Sequence, residues 1–149
     1  METAQLELAG EIALVTGASR GIGEAILHAL AARGARVVGT ATSEAGAAAI
    51  SAKLAEKGLQ GAGMVLNVTD PASVEAVLKE VEARFGAPSI LVNNAGITRD
   101  TLLMRMKDED WDAIMQTNLS SVYRLSKAVL RGMMKARHGR IISIASVVG

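Results

Sequence analysis

Cysteine is absent from this 149-residue chain, which excludes disulfides and thiolate metal sites. Histidine occurs twice, at His28 and His138, too sparsely for a histidine-based zinc centre, so no metal is expected. The aromatic residues are Phe85, Trp111 and Tyr123, too few for a base-stacking platform. Neither sign of charge dominates, with 16 Lys and Arg against 15 Asp and Glu. A near-neutral chain offers no general electrostatic case for nucleic acid or an anionic membrane as partner. No apolar run approaches the length that crosses a bilayer. The N-terminal METAQLELAGEI lacks the basic-then-apolar order of a secretory signal. The expectation is a soluble, cytoplasmic protein.

Apolar residues are plentiful. They make up 50 % of the chain, and the mean hydropathy is +0.29, enough for a hydrophobic core. No Pro-rich linker, internal repeat or low-complexity tract divides the sequence, so residues 1–149 read as a single domain. Short β-branched runs alternate with helical patterns. IALVT (12–16), RVVGT (36–40), GMVLNV (63–68), SILVN (89–93) and RIISIAS (140–146) are the strand candidates. Several are continuously apolar, as in strands covered on both faces. Ile22, Ala25, Ile26, Ala29 and Leu30 recur at helical spacing and stop at Gly34. Asp70-Pro71 reads as an N-cap with proline at the first helical position, opening a helix that runs to Phe85. The longest helical pattern starts near Asp108 and carries Trp111, Ile114, Met115, Leu119, Val122, Leu125, Val129 and Met133. The expected architecture is a doubly wound α/β (Rossmann) domain with a parallel sheet, strand order 3-2-1-4-5, and a crevice beside strands 1 and 4.

TGASRGIG (16–23) lies between the first strand and first helix. Gly17 suits a tight exit turn, Gly21 a close approach of backbone to a diphosphate, and Gly23 tight packing of helix on sheet. Free N–H groups at the helix start would meet the phosphates. A glycine-rich turn without ligand is the alternative.

The spacing G-x-x-x-G-x-G, the VNNAGI segment after strand 4 and the order of the motifs resemble the short-chain dehydrogenase/reductase family. The likeness covers essentially all of the chain. It implies NAD(H) or NADP(H) bound by Gly17, Ala18, Ser19, Arg20, Gly21, Ile22 and Gly23, with Asn67 and Val68 lining the adenine. Asn94, Ala95 and Gly96 would lie against the cofactor; for the Asn side chains, structural support is an equal alternative, and Asn67 could equally serve a turn. NAD sites place an acid at the end of strand 2. Here GTATSE puts Thr42 and Ser43 there, with Glu44 a little beyond. Hydroxyls and the Arg20 guanidinium suit a 2′-phosphate, so NADP(H) is the expected cofactor.

Carbonyl reduction needs a hydride donor, a proton donor and polarisation of the carbonyl oxygen. By resemblance, Ser146 orients the carbonyl, and Asn118 supports the family's Lys through a water relay. The family's catalytic Tyr and Lys follow that Ser by more residues than remain before Gly149. The expectation is therefore an N-terminal piece that stops after strand 5 and is inactive alone. Tyr123 and Lys127 form a literal Y-x-x-x-K, but they precede Ser146 and share a helix with Asn118, so packing and solvation explain them better. Within the family, NNAGITRDTLLMRMKDEDWDAIMQTNLSSVYRLSKAV and RHGRIISIASVVG most resemble bacterial reductases of a 3-oxoacyl thioester carried on acyl-carrier protein. That likeness implies a homotetrameric parent. Arg131, Lys135, Arg137 and Arg140 could face the acidic carrier; a solvated helix end is the alternative.

Overall fold

Residues 6–94 and 107–144 are described by the structure, a computed structural model, without the side chains of Asp110, Trp111 and Ile114. Among the described residues nine elements alternate: β1 (Ile12–Val15), α1 (Gly21–Ala32), β2 (Arg36–Ala41), α2 (Glu44–Glu56), β3 (Gly61–Val65), α3 (Pro71–Arg84), β4 (Ile90–Asn93), α4 (Asp108–Ala136) and β5 (Arg140–Ser143). The strands form one sheet in the order β3-β2-β1-β4-β5, parallel throughout. This is the expected doubly wound topology. Its consecutive connections run one way from β1 through β3 and the other way from β4 to β5, which opens a crevice at the carboxyl ends of β1 and β4.

Alternation along each strand divides the core into two layers. Leu14, Val38 and Leu91 point to the side where Val77 and Val81 of α3 pack with Leu125 and Val129 of α4. Val15, Val37 and Val92 point to the other, against Leu27 of α1 and Ile50 and Leu54 of α2. Both faces of the central strands are thus dry, which is why their sequences read as unbroken apolar runs.

The local signals act as their chemistry dictates. Asp70 caps α3 by accepting the Ala72 N–H at 3.0 Å, with Pro71 at the first helical position. Ser43 caps α2 by accepting the Gly46 N–H at 3.0 Å.

Three expectations need correction. The buried face of α1 is Gly23, Leu27 and Ala31; Ile22 is 62 % exposed, and Ala25 and Ala29 are exposed too. Gly23 carries no apolar signal, yet a Cβ there would overlap the Gly17 carbonyl and the Asn94 amide, so its lack of a side chain lets this face of α1 pack inward. β3 spans 61–65 rather than 63–68. It starts early because Val37 already pairs with Gly61, where a Cβ would overlap the Val37 carbonyl. It ends early because the Asn67 side chain accepts the Thr69 N–H and hydroxyl, at 3.0 and 2.7 Å, and turns the chain outward. β5, expected to be buried, is exposed along Arg140–Ser143. It pairs with β4 alone among the described strands; Ile144 follows it and donates its N–H to the Asn93 carbonyl at 2.9 Å, and residues 145 and 146 lie outside the described residues.

α4 is longer than the sheet can cover. Its 29 residues extend about 43 Å at ~1.5 Å per residue, whereas a four-residue strand reaches only about 13 Å. Leu125, Val129 and Met133 are buried, but Met115 and Leu119 belong to the overhang and are exposed.

Candidate functional site

The carboxyl ends of β1 and β4 are joined by side chains. Thr16, at the end of β1, is buried and donates its backbone N–H to Val92 at 3.1 Å. Its hydroxyl oxygen accepts the Asn94 backbone N–H at 2.9 Å. The Asn94 side chain then donates to the Gly17 carbonyl at 3.1 Å. The glycine loop is tied to β4 through this amide, so the supporting role left open for Asn94 is the one the described residues display. Asn93, 6 % exposed, donates to the Ser126 hydroxyl at 3.3 Å and ties β4 to α4.

Gly17 and Gly21 both adopt left-handed backbone, φ 62° and 63°, where a side chain is disfavoured. A Cβ on Gly21 would meet nothing within 4 Å, so the loop's outer edge is open. Gly23 is the opposite: a Cβ there would overlap the Gly17 carbonyl and crowd the Asn94 amide. Ala18 anchors the loop by donating its N–H to the Thr40 carbonyl at 2.8 Å.

Helix α1 starts differently from its neighbours. Its N-cap, Arg20, makes no side-chain capping bond, whereas Ser43 and Asp70 cap α2 and α3. The first-turn amides of α1 therefore face the crevice beside an open glycine loop. An anion is the partner this arrangement suits, because it would supply the missing acceptors and meet the positive end of the helix dipole. The acid in the first turn, Glu24, is drawn away by Lys53 on α2 at 2.7 Å, a bond that holds its carboxyl below the usual range.

The end of β2 lies alongside. A Cβ on Gly46 would come 2.7 Å from Ala41 Cβ and 3.7 Å from Ser19 Cβ, so the first turn of α2 packs against both the glycine loop and the end of β2. Thr42 and Arg20 are exposed on this margin. Arg20 pairs with no carboxylate among the described residues. Ser43, expected to share the recognition, spends its acceptor on the Gly46 N–H, which leaves Thr42 as the uncommitted hydroxyl. The residues present fit the diphosphate of a dinucleotide at the start of α1.

On the far side of β2, Asn67 is committed to its Asx turn, and its backbone N–H donates to Ser73 Oγ at 3.0 Å. Val68 is half-buried, and its carbonyl accepts from Arg124 Nη1 at 3.3 Å. Asn118 is half-buried on α4, eight residues before Ser126 and thus about 12 Å further along the axis at ~1.5 Å per residue. That puts it above the end of β4, on the crevice side. Ala95, Gly96 and Ser146 lie outside the described residues. Tyr123 is 65 % exposed, with Lys127 Nζ 5.7 Å from its ring centre, on the outer surface of α4. Sequence reasoning missed Thr16 and Arg124. The motif assigns Thr16 no role, and nothing near Arg124 in sequence points to the turn 56 residues away.

Among the described residues no cluster of three or more His, Asp or Glu side chains could hold a metal ion, and no helix is long and apolar enough to cross a membrane.

The family model for short chain dehydrogenases matches residues 11–149. The chain belongs to this family. It is 71 % identical over 140 residues to the 3-oxoacyl-[acyl-carrier-protein] reductase FabG of Escherichia coli K12, covering 94 % of this chain and 56 % of that protein. Against the reductase of the same name from Vibrio cholerae, identity is 66 % over 144 residues, 97 % of this chain and 58 % of the relative. The Pseudomonas aeruginosa reductase is 59 % identical over 144 residues, with the same coverages, 97 % and 58 %. The chain thus spans somewhat more than half the length of these curated relatives.

Proposed function

We propose that this chain is the cofactor-binding part of an NADPH-dependent 3-oxoacyl-[acyl-carrier-protein] reductase, converting a 3-oxoacyl thioester to the 3-hydroxyacyl thioester in the cytoplasm. The observation that carries the reading is the uncapped start of α1 behind an open glycine loop, with Arg20 and Thr42 on its margin. Identity of 59–71 % to three reductases of that name supports the substrate.

The roles follow from the chemistry of each group. When bound, the cofactor supplies the hydride. The amides of Gly21, Ile22 and Gly23 hold the diphosphate. Arg20 pairs with the 2′-phosphate, and Thr42 hydrogen-bonds to it; at the end of β2 itself a hydroxyl stands where a carboxylate would repel that charge. Val68, steadied by Arg124, borders the adenine together with Asn67, and Asn94 with Ala95 and Gly96 keeps the loop closed against the sheet. Ser146 orients the carbonyl, while Asn118 holds the water relay to the family's Lys. Residues 1–149 act as one NADP-binding unit.

Self-association of the whole protein into a tetramer is supported by the outer face of α4. Leu119, Tyr123 and Met134 are exposed there, 62 %, 65 % and 68 % respectively. Acidic residues cluster at its start (Asp108, Glu109, Asp112), and exposed basic ones follow (Lys127, Arg131, Lys135). Two such helices laid antiparallel would match opposite charges around an apolar seam. The acidic carrier meets the other basic feature, an open cleft of about 620 Å³ lined by Leu130, Met133 and Ile141 and rimmed by Arg137 and Arg140.

Fluorescence titration with NADPH and NADH tests the cofactor assignment. NADPH binds more tightly to the wild-type chain, and Arg20→Ala removes most of that preference. Equal affinity for both cofactors in the wild type overturns it. Oxidation of NADPH with a short 3-oxoacyl thioester, compared between this chain and a form extended past the family's Tyr, tests the reaction. Turnover by the short chain at the extended rate would show that the proton donor lies within residues 1–149.

A further inference from the structure

The amino end of the sheet, opposite the crevice, holds a polar cluster that the proposed reaction does not use. Glu11 immediately precedes β1. Its carboxylate accepts the Ser89 hydroxyl at 2.6 Å, just before β4, and both its oxygens lie 2.8 Å from His138 Nε2, just before β5. A carboxylate can only accept, so Nε2 carries the proton in either charge state of the imidazole. Ser89 is saturated: its oxygen accepts the Ile12 N–H at 3.0 Å, its own N–H donates to the Ile12 carbonyl at 2.8 Å, and its carbonyl accepts the Arg140 N–H at 2.8 Å. One carboxylate therefore joins the starts of three strands.

What it joins is the α4–β5 turn. Arg137 sits in left-handed backbone, φ 54°, where a non-glycine residue is strained. Its N–H donates to Met134 at 3.1 Å and that of His138 to Met133 at 3.0 Å, a Schellman closure. Gly139 lies so close behind that a Cβ would strike the Met133 side chain. The turn is tight and strained, and the strand that follows it is exposed along Arg140–Ser143. An external tether is what keeps such a turn in one place.

We propose that Glu11 is a positioning residue that, through His138 and Ser89, fixes the basic α4–β5 turn carrying Arg137 and Arg140 to the sheet, presenting it to the acidic carrier. The consequence for the carrier rests on the docking reading above; the clasp itself does not. The groups facing Glu11 from each neighbouring element are consistent with this. From β4 comes the neutral Ser89, and from the turn His138 and Arg140. The β2 residue nearest in the pairing, Arg36, turns its guanidinium to the Phe85 carbonyl at 3.0 Å. The Ser89 hydrogen bond, then the bond to His138 and the charges of His138 and Arg140, hold the carboxyl of Glu11 below its ordinary range against the opposing effect of partial burial.

Hydrogen-exchange protection on the 149-residue chain tests the clasp. At pH 7, Glu11→Gln lowers protection at the Arg140 and Ile12 amides by about tenfold and leaves Ala18 and Asn94, at the other end of the sheet, unchanged. Wild type loses the same protection as pH falls below the ordinary carboxylate range, and the variant shows no such further loss. Equal protection in both at pH 7, or an acid response retained by Glu11→Gln, overturns the proposal. Should the variant not fold, the His138 imidazole resonance of the wild type decides: it follows an acid titration of Glu11, and its absence overturns the clasp. Titration with an acyl-carrier protein separates the two readings. Weaker binding by both Arg137→Ala and Glu11→Gln supports positioning. Loss in Arg137→Ala alone overturns it, and no loss in either overturns carrier docking at this turn.

Discussion

The two ends of the parallel sheet treat their polar groups in opposite ways. At the amino end, Glu11, Ser89 and His138 close on one another, and the hydroxyl, carboxylate and ring nitrogen all have protein partners. At the carboxyl end, Asn94 and Thr16 close the loop's base, while the first turn of α1 is left without a side-chain cap. Unmet backbone donors at a helix start cost stability unless something else accepts from them. Of the helices that start at this end, α2 and α3 are capped by Ser43 and Asp70, while α1 and α4 have no side-chain cap; of these two, α1 adjoins the open edge of the glycine loop.

The largest effect comes from removing the close approach at the open end. Gly23→Ala drives a Cβ into the Gly17 carbonyl and the Asn94 amide. Both belong to the framework, so the expected cost is about 3 kcal/mol in urea unfolding, with loss of NADPH binding. Gly21→Ala has no steric conflict and pays only for its left-handed backbone, about 1 kcal/mol. Equal costs at the two positions would break the distinction between the loop's packed base and its open edge. Next in size is Asn94→Ala. It strands the Gly17 carbonyl and lowers stability by about 1–2 kcal/mol, with weaker NADPH binding because the loop loses its tie to β4. Unchanged affinity in a variant with lowered stability would mean that the loop is set by Gly23 alone.

The closed end has its own signature, a pH dependence. The Glu11 carboxyl is held below its usual value of 4.5, so its contribution is fully present above that value and fades as pH falls through the folded value. Wild type should exceed Glu11→Gln by about 1 kcal/mol at pH 7, a modest figure because the site is partly exposed to screening solvent. The gap should shrink as pH drops below 4.5. A gap that widens in acid would reverse the sign and identify a different titrating group.

How much of this was legible in sequence follows from how far apart the interacting residues are. The sheet order was readable because each strand is short, apolar and followed by a helix pattern, and because the Asp70-Pro71 cap is written in adjacent letters. The buried face of α1 was legible only in part: Ile26 and Leu30 pack against the core, but Gly23, which is buried beside them, has no side chain to register in a hydrophobic pattern. β5 was read as buried from its apolar letters, but burial also depends on what covers a strand, and no strand of the described residues pairs beyond it. The clasp was invisible: Glu11 and His138 are separated by 127 positions, and neither belongs to a motif. The glycine loop was the reverse case, since the backbone geometry it needs dictates its letters directly.

The smallest effect separates strain from charge within the closed end. Arg137 occupies a position at which glycine is the usual helix terminator, and its left-handed backbone, φ 54°, costs about 1 kcal/mol relative to glycine. Arg137→Gly should therefore raise the midpoint of thermal unfolding slightly, provided that the unfolded chain's gain in freedom does not cancel the relief. It also deletes a cation from the rim of the cleft between α4 and β5. If the turn only terminates a helix, the variant is more stable with unchanged binding to an acyl-carrier protein. If the turn is a docking element, the variant gains stability and loses carrier affinity together. That opposed pair of changes is the outcome expected here, because the substitution relieves a left-handed backbone and removes a cation from the rim of the cleft at the same time.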